Sequence, residues 1–319
     1  MTNLSIIIPH FNSVQALNKL LKTIPDIKDI QIIVIDDNSD MNHKKKLLEL
    51  IKGCNRQNIE FYNNYSPNKG AGACRNIGLN RSKGKWLLFA DSDDYFIDGY
   101  LDVIQRYLDS NNDVIFFKPT SIEVDTGNQA ERHLAYSKLI DSYLGNHLNS
   151  EIYLRYCFSV PWSKLIKTSF VKKNNISFDE VIAANDLMFS TKVGYLMGNF
   201  EVSEEIIYCV TRNKGSLTTT VSHKVFDTRL NVFINYNKFL KEHLIKEEFN
   251  TLGLSSVGFL ISAFKKFGVK KVCLVYFKLR KNKVRLFNPK MCNPIWFMNK
   301  TLYVIRKNKS MKRYYNKIE

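Results

Sequence analysis

Asp91-Ser92-Asp93-Asp94 sets three carboxylates within four residues, directly after the apolar run Trp86-Leu87-Leu88-Phe89. If that run is a buried strand, the carboxylates emerge at its carboxyl end. In extended chain Asp91 and Asp93 then point the same way. Carboxylates this close repel unless a cation lies between them. A hard divalent ion, shared between one or two carboxylates and substrate phosphates, suits such a pair. A solvated turn leading into a helix is the competing reading, because Asp is a common turn residue. Asp36-Asp37-Asn38-Ser39-Asp40 closes a second apolar run, Gln31 to Ile35, in the same way. Its carboxylates can accept hydrogen bonds from a pyrimidine imide or a ribose hydroxyl, or can serve the turn alone. A third segment, Asn68 to Gly78, opens a helical stretch with Gly70, Ala71, Gly72 and Ala73. Small residues let a backbone approach a ligand closely, and Lys69 and Arg75 can meet phosphate. The spacing is neither a Walker loop nor Gly-x-Gly-x-x-Gly.

These segments need a scaffold. Ser5 to Ile8, Gln31 to Ile35, Ile59 to Tyr62, Trp86 to Phe89 and Val114 to Phe117 are short runs rich in β-branched and aromatic residues. Such runs read as strands buried on both faces. Helical stretches lie between them. One is capped by Ser13 and carries Leu17, Leu20, Leu21 and Ile24 on one face; others cover about 43–52, 71–82 and 99–108. Strand alternating with helix predicts a doubly wound α/β sheet. Sheets of that kind bind ligands at the carboxyl ends of their strands, where Pro9 to Asn12, Asp36 to Asp40 and Asp91 to Asp94 fall. Beyond residue 120 the pattern predicts helices at 137–144, 150–156 and 185–197, a strand at 206–211, and a helical stretch from Lys224 onward.

The chain has 319 residues and a formal net charge of +17, and the charge is unevenly placed. Residues 1–223 hold 25 basic and 25 acidic side chains, whereas 224–319 hold 22 and 5. A boundary near 223 follows, with a catalytic domain over 1–223 and a basic helical region over 224–319. The six cysteines form no C-x-x-C pair, which argues for reduced thiols in a cytoplasmic setting. Leu4 to Pro9 is too short for a signal peptide. The uncharged stretch Phe249 to Phe264 falls short of the roughly 20 residues of a membrane span. The cations avoid the α/β half and no nucleic-acid-binding motif appears, so no nucleic-acid partner is expected.

Taken together, Ser5 to Asn12, Val34 to Ser39, Gly70 to Gly78 and Phe89 to Asp94 stand in the order and spacing of a known family. The sequence resembles the family 2 glycosyltransferases, which have the GT-A fold. Trp162-Ser163-Lys164-Leu165 and Phe178 to Phe189 extend the likeness, which covers roughly residues 4 to 220. The resemblance implies transfer of one sugar from a UDP-sugar to an acceptor hydroxyl with inversion. In similar enzymes the aromatic after the first strand stacks on uracil, here Phe11 between Pro9 and Asn12, and Asp37 contacts the base. Lys69, Arg75 and Ser92 fall in the donor-binding segments. Asp91 lies near ribose and metal, and Asp93 directly on Mn²⁺ or Mg²⁺. Asp186 is the implied general base; a helix N-cap is its plainer role. The family usually carries Glu where this chain has Asn185. Trp162 is implied to line the sugar or acceptor pocket, or else to be a core residue. His223 reads as a surface histidine or as a third metal ligand, and Arg212 to Thr218 as a lid. The (Gln/Arg)-x-x-Arg-Trp motif of processive synthases is absent, which points to addition of one sugar at a time.

The likeness leaves the basic tail unexplained. Between Phe264 and Phe277 cations interleave with apolar residues, as in amphipathic helices lying on anionic headgroups. That suits a peripheral enzyme on the inner face of a bacterial cell membrane, with a lipid-linked glycan acceptor in capsule, O-antigen or lipopolysaccharide synthesis. A homo-oligomerisation appendage is the other reading of the tail. Rival functions for the whole chain are an inactive sugar-nucleotide-binding relative and a sugar-nucleotide pyrophosphorylase.

Overall fold

The computed structural model describes residues 2–212, 222–288 and 298. Eight strands form one sheet: β1 (Leu4–His10), β2 (Ile30–Asp36), β3 (Ile59–Asn63), β4 (Trp86–Phe89), β5 (Tyr95–Phe96), β6 (Val114–Glu123), β7 (Lys164–Lys167) and β8 (Phe200–Arg212). The helices before the last strand are α1 (Val14–Lys22), α2 (Met41–Gly53), α3 (Ala71–Arg81), α4 (Tyr100–Gln105), α5 (Leu134–Leu144), α6 (Ser150–Cys157), α7 (Thr168–Lys173) and α8 (Leu187–Leu196). After it come α9 (His223–His243), α10 (Lys246–Leu252), α11 (Val257–Phe267) and α12 (Val269–Lys281).

The strand order is β3-β2-β1-β4-β7-β6-β8-β5. β1 to β4 are mutually parallel, as the alternation of strand and helix predicts. β7 then runs antiparallel between β4 and β6, so the sheet is mixed. Neither β7 nor the two-residue β5 is foreseen from the sequence. β6 and β8 run well past the expected 114–117 and 206–211.

Every residue of β1 and β2 is buried, and the pleat divides them. Ile6, Ile8, Ile32 and Val34 join one core cluster with Leu17, Leu20 and Leu21 of α1. Ile7, Ile33 and Ile35 join the other with Cys74 and Leu79 of α3. Period-2 alternation thus feeds two cores from the same strands. Burying a Leu or Ile side chain contributes about 1.5–3 kcal/mol. Gly78 lets α3 lie against β1, because a Cβ there would meet the Ile7 side chain at 2.4 Å.

The chain forms two compact units, Met1–Val232 and Phe233–Glu319. They divide within α9 rather than at the charge boundary near 223. The uncharged stretch 249–264 is broken between α10 and α11. Among the described residues no helix is long and apolar enough to cross a membrane.

Candidate active site

The carboxyl ends of β1, β2 and β4 are stitched together by short polar side chains. His10, the last residue of β1, is buried and its Nδ1 lies 2.8 Å from Asp36 Oδ1. Its Nε2 accepts from the Ser13 backbone N–H at 3.2 Å, so the ring proton sits on Nδ1 and is donated to Asp36. Ser39 donates to the same carboxylate from its hydroxyl and its backbone N–H. These hydrogen bonds and the neighbouring imidazole hold Asp36 below the ordinary carboxylate pKa although burial opposes them. Asn12, in the left-handed region at φ 49°, accepts from the Asp40 N–H and donates its own N–H to Ser39. Phe11, between the two, leaves 56% of its surface exposed. An aromatic ring held in water on a rigid turn offers a stacking face. Pro9 lies within the buried strand β1.

Asp37 has a structural role that the sequence does not disclose. Its Oδ1 accepts from the Asn64 side chain at 2.8 Å and its Oδ2 from the Gly70 N–H at 2.6 Å. A carboxylate has about four lone-pair positions, so some capacity remains for a ligand. The carboxylate therefore fixes the entry to α3, and Lys69 beside it is exposed.

The small residues of α3 do not open space for a ligand at Gly72. A Cβ there would meet Asp179 O at 2.1 Å and Asn185 Cβ at 2.9 Å, so the chain's own 179–185 segment takes the room. Asn76 accepts from the Phe178 N–H at 2.8 Å and donates to Glu180 Oε1 at 3.0 Å, and Asn68 donates to Glu180 Oε2 at 2.7 Å. The Asn185-Asp186 pair is thereby held against α3.

Arg75 joins the two acidic segments. One terminal nitrogen donates to Asp91 Oδ1 at 2.6 Å and the other to Asn185 Oδ1 at 2.8 Å. The guanidinium is 4% exposed, lies 5.3 Å from the Phe178 ring centre, and keeps a buried Nε–H that has no hydrogen-bond partner among the described residues. Asn185 thus accepts from Arg75 as a glutamate would, without adding a second negative charge. Asp186 stands at the N-terminus of α8, but its side chain makes no capping hydrogen bond. Its carboxyl is raised above the ordinary range chiefly by burial; Arg75 and Lys164 oppose the rise and Asp91 adds to it.

Asp91-Ser92-Asp93-Asp94 is held from β8. The Tyr208 hydroxyl accepts from the Asp91 N–H at 2.8 Å and donates to Asp94 Oδ2 at 2.9 Å. The Thr211 N–H donates to Asp94 Oδ1 at 2.7 Å, and its hydroxyl to the Asp93 carbonyl at 2.7 Å. Asp94 is buried, and burial with the charges of Asp93 and Asp91 drives its pKa well up. Ser92 meets the Ser13 hydroxyl at 2.8 Å, so Ser13 ties β1 to β4 and makes no side-chain cap on α1.

Trp162 is buried at 4%, edge-on to Tyr136 and stacked 5.8 Å from Tyr208; the core reading describes its surroundings. Lys164 is a buried cation. Its Nζ donates to the Phe158 carbonyl at 2.6 Å and lies over the rings of Phe158 and Phe116. Burial pushes its pKa down to about 7, against the pull of Asp186. Tyr208 and Lys164 are the functional candidates that sequence reasoning missed. His223 is the exposed first residue of α9. The expected lid falls largely on 213–218, outside the described residues.

The donors fit a metal in one mode only. Among the described residues no group of three or more His, Cys, Asp or Glu is placed to hold an ion. Asp91 and Asp93 offer hard oxygens, and Asp91 Oδ1 is already engaged by Arg75. Two carboxylates suit an ion that completes its shell with diphosphate oxygens and water.

Comparison with known proteins places the family and the fold. The profile of Glycosyl transferase family 2 matches residues 5–170, just over half of the chain. The chain belongs to that family and has its GT-A fold. A solved structure of S. aureus TarS 1–349 with UDP-GlcNAc superposes with a TM-score of 0.62 at 22% identity, covering 83% of this chain and 73% of that one. A mannosyltransferase from Pyrobaculum calidifontis with GDP-Man and Mn²⁺ gives 0.52 at 11% identity, over 94% and 83%. In sequence, the poly(ribitol-phosphate) beta-N-acetylglucosaminyltransferase TarS of Staphylococcus aureus is 27% identical over 224 residues, 67% of this chain and 36% of the relative. The GalNAc(5)-diNAcBac-PP-undecaprenol beta-1,3-glucosyltransferase of Campylobacter jejuni is 35% identical over 108 residues, 33% of this chain and 34% of the relative. The chain thus spans about a third of the length of these two curated relatives.

Proposed function

We propose that this chain transfers a sugar from a UDP-sugar to an acceptor hydroxyl with inversion, one sugar at a time. The observation that carries the reading is Arg75, which ties Asp91 to Asn185 beside the uncapped carboxylate of Asp186. Phe11 stacks on the base, and the free lone pairs of Asp37 accept from it. Lys69 and Arg75 lie near the diphosphate. Asp91 and Asp93 hold Mn²⁺ or Mg²⁺, which when bound neutralises charge on the departing diphosphate. Asp186 takes the proton of the acceptor hydroxyl, a role worth about 10²–10⁴-fold. The UDP-GlcNAc complex of one structural relative supports the donor class, and the GDP-Man and Mn²⁺ complex of another supports the metal.

The relatives named for polymer and undecaprenol-linked substrates support an acceptor in bacterial surface polysaccharide synthesis, carried on a lipid. The basic region over 224–319 then holds the enzyme on the inner face of the membrane. Ile261, Phe264, Leu274 and Phe277 are each at least half exposed on α11 and α12, among Lys265, Lys266, Lys270 and Lys278. Cations near an anionic surface contribute about 1 kcal/mol each.

Calorimetric titration with UDP in the presence of Mn²⁺ tests the donor site. Saturable binding that weakens in Asp93→Ala and in Phe11→Ala is expected. Absence of binding in folded protein would remove UDP from the reading.

A further inference from the structure

The second unit contains a groove of about 680 Å³ in which Lys238, Lys241, Arg280, Lys283 and Arg285 converge, and among the described residues no carboxylate lines it. Among the described residues none of the five is ion-paired to Asp or Glu. Like charges gathered in one groove repel, so the arrangement needs a cause. Helix dipoles account for part of it: Lys241 and Arg280 lie in the last turns of α9 and α12, where cations are favourable. Lys238, Lys283 and Arg285 have no such explanation.

Lys283 adds a second observation. α12 ends in a Schellman motif, with the Val284 N–H bonded to Leu279 O at 3.1 Å and the Lys283 N–H to Arg280 O at 3.0 Å. Val284 and Leu279 are both buried beneath it. The residue between cap and Val284 must adopt the left-handed region, where glycine is usual; Lys283 occupies it at φ 54°. A side chain there is strained, yet among the described residues no carboxylate faces the cation that it carries. Arg285 is fixed as well, donating to Asn250 Oδ1 at 2.7 Å with its guanidinium 5.7 Å from the Phe249 ring centre. A fork held in advance loses little entropy on meeting an oxyanion.

We infer that this groove binds a phosphate-bearing group through Lys238, Arg280, Lys283 and Arg285. A phosphate offers several charged oxygens, which lets it answer several cations at once. Phe249 and Phe287 on the wall of the groove give the rest of such a ligand an apolar surface. All of these residues belong to the second unit, and the inference does not depend on the transferase reading.

The test titrates the full chain, saturated with UDP and Mn²⁺, with inorganic pyrophosphate at low salt. Binding is expected to weaken about tenfold or more in Lys238→Gln/Arg280→Gln/Lys283→Gln. It should stay unchanged in Lys44→Gln/Lys45→Gln/Lys46→Gln, which removes the same charge from α2. Lys283→Gly separates fold from ligand: relief of the left-handed strain should raise the melting temperature while pyrophosphate affinity falls. Flotation with phosphatidylglycerol vesicles identifies the source. Flotation lost in the groove triple but not the α2 triple assigns a lipid headgroup; flotation retained while pyrophosphate binding is lost assigns a soluble phosphate. Equal weakening by both triples, or no pyrophosphate binding by folded wild type, overturns the inference. Failure of UDP to bind would count against the transferase reading alone, because the comparison of the two triples is read without it.

Discussion

Arg75 and Asp91 are ion-paired at 2.6 Å, joining α3 to the turn that follows β4. The same guanidinium holds Asn185 at 2.8 Å, so one side chain sets the spacing between the acidic turn and the segment that ends in Asp186. Arg75→Lys keeps the charge but cannot present two parallel donors to two partners. It should lower sugar transfer about tenfold or more with a small loss of stability. Arg75→Ala should also cost about 1–3 kcal/mol, because two half-buried acceptors lose their donor and the buried guanidinium leaves a gap. Urea denaturation and initial rates, measured on both variants, separate the two effects.

Tyr208 should behave as part of the site although it comes from the far strand β8. Tyr208→Phe keeps the stacking on Trp162 and removes only the hydroxyl. The Asp91 N–H then loses its acceptor and Asp94 a donor, at a cost of about 1–3 kcal/mol. Chemical denaturation should show that loss, and the apparent Mn²⁺ affinity should fall with it. Unchanged stability would mean that water replaces the hydroxyl without penalty.

Lys164 makes a prediction about pH. Its folded-state pKa is lowered from the ordinary 10.5 to about 7, so between those values the native state binds fewer protons than the unfolded chain. Stability should therefore rise with pH from about 7 towards 10.5. Lys164→Met should flatten that rise. Asp186 has the opposite sense for an acid: its raised pKa means that the native carboxyl holds its proton above the ordinary 3.8, and stability falls as pH increases through that window. Asp186→Asn should remove the fall and stabilise the protein at neutral pH while lowering transfer by about 10²–10⁴-fold. In Lys164→Met a cation that favours ionised Asp186 is gone, and the acid limb of kcat/KM should move to higher pH. Thermal melts and pH–rate profiles read both effects.

The strands that position the site were legible because β1, β2 and β4 are buried on both faces, and unbroken apolar runs follow from that. β7 was not, since Lys164 and Lys167 bracket only Leu165 and Ile166; the fold buries a lysine where a sequence pattern predicts exposure. The polar turns could be located at strand ends, but their wiring could not. Ser13 looks like a helix cap, and only the approach of β1 to β4 brings its hydroxyl to Ser92. Gly72 looks like room for a ligand, and the 179–185 segment fills it. Trp162 reads equally as a pocket wall or as a core residue, and only the approach of β8 sets Tyr208 against it. Each difference depends on a contact between residues far apart in the chain.

The exposed apolar face of the second unit predicts salt-dependent binding to anionic vesicles. Leu274→Ser/Phe277→Ser, at positions 66% and 68% exposed, should reduce flotation without altering the melting temperature. Flotation that survives both this change and high salt would contradict membrane attachment through this face; a salt-independent change in molecular mass would favour self-association.

The central claim is that Asp93 and Asp186 serve one transferase site, and release of UDP from a panel of UDP-sugars tests it most directly. Wild type with Mn²⁺ should release UDP from one donor. Asp93→Ala should lose this activity, and Asp186→Asn should lower transfer by about 10²–10⁴-fold once an acceptor is supplied. Undiminished release in Asp93→Ala, or none from any donor in folded wild type, would contradict the account.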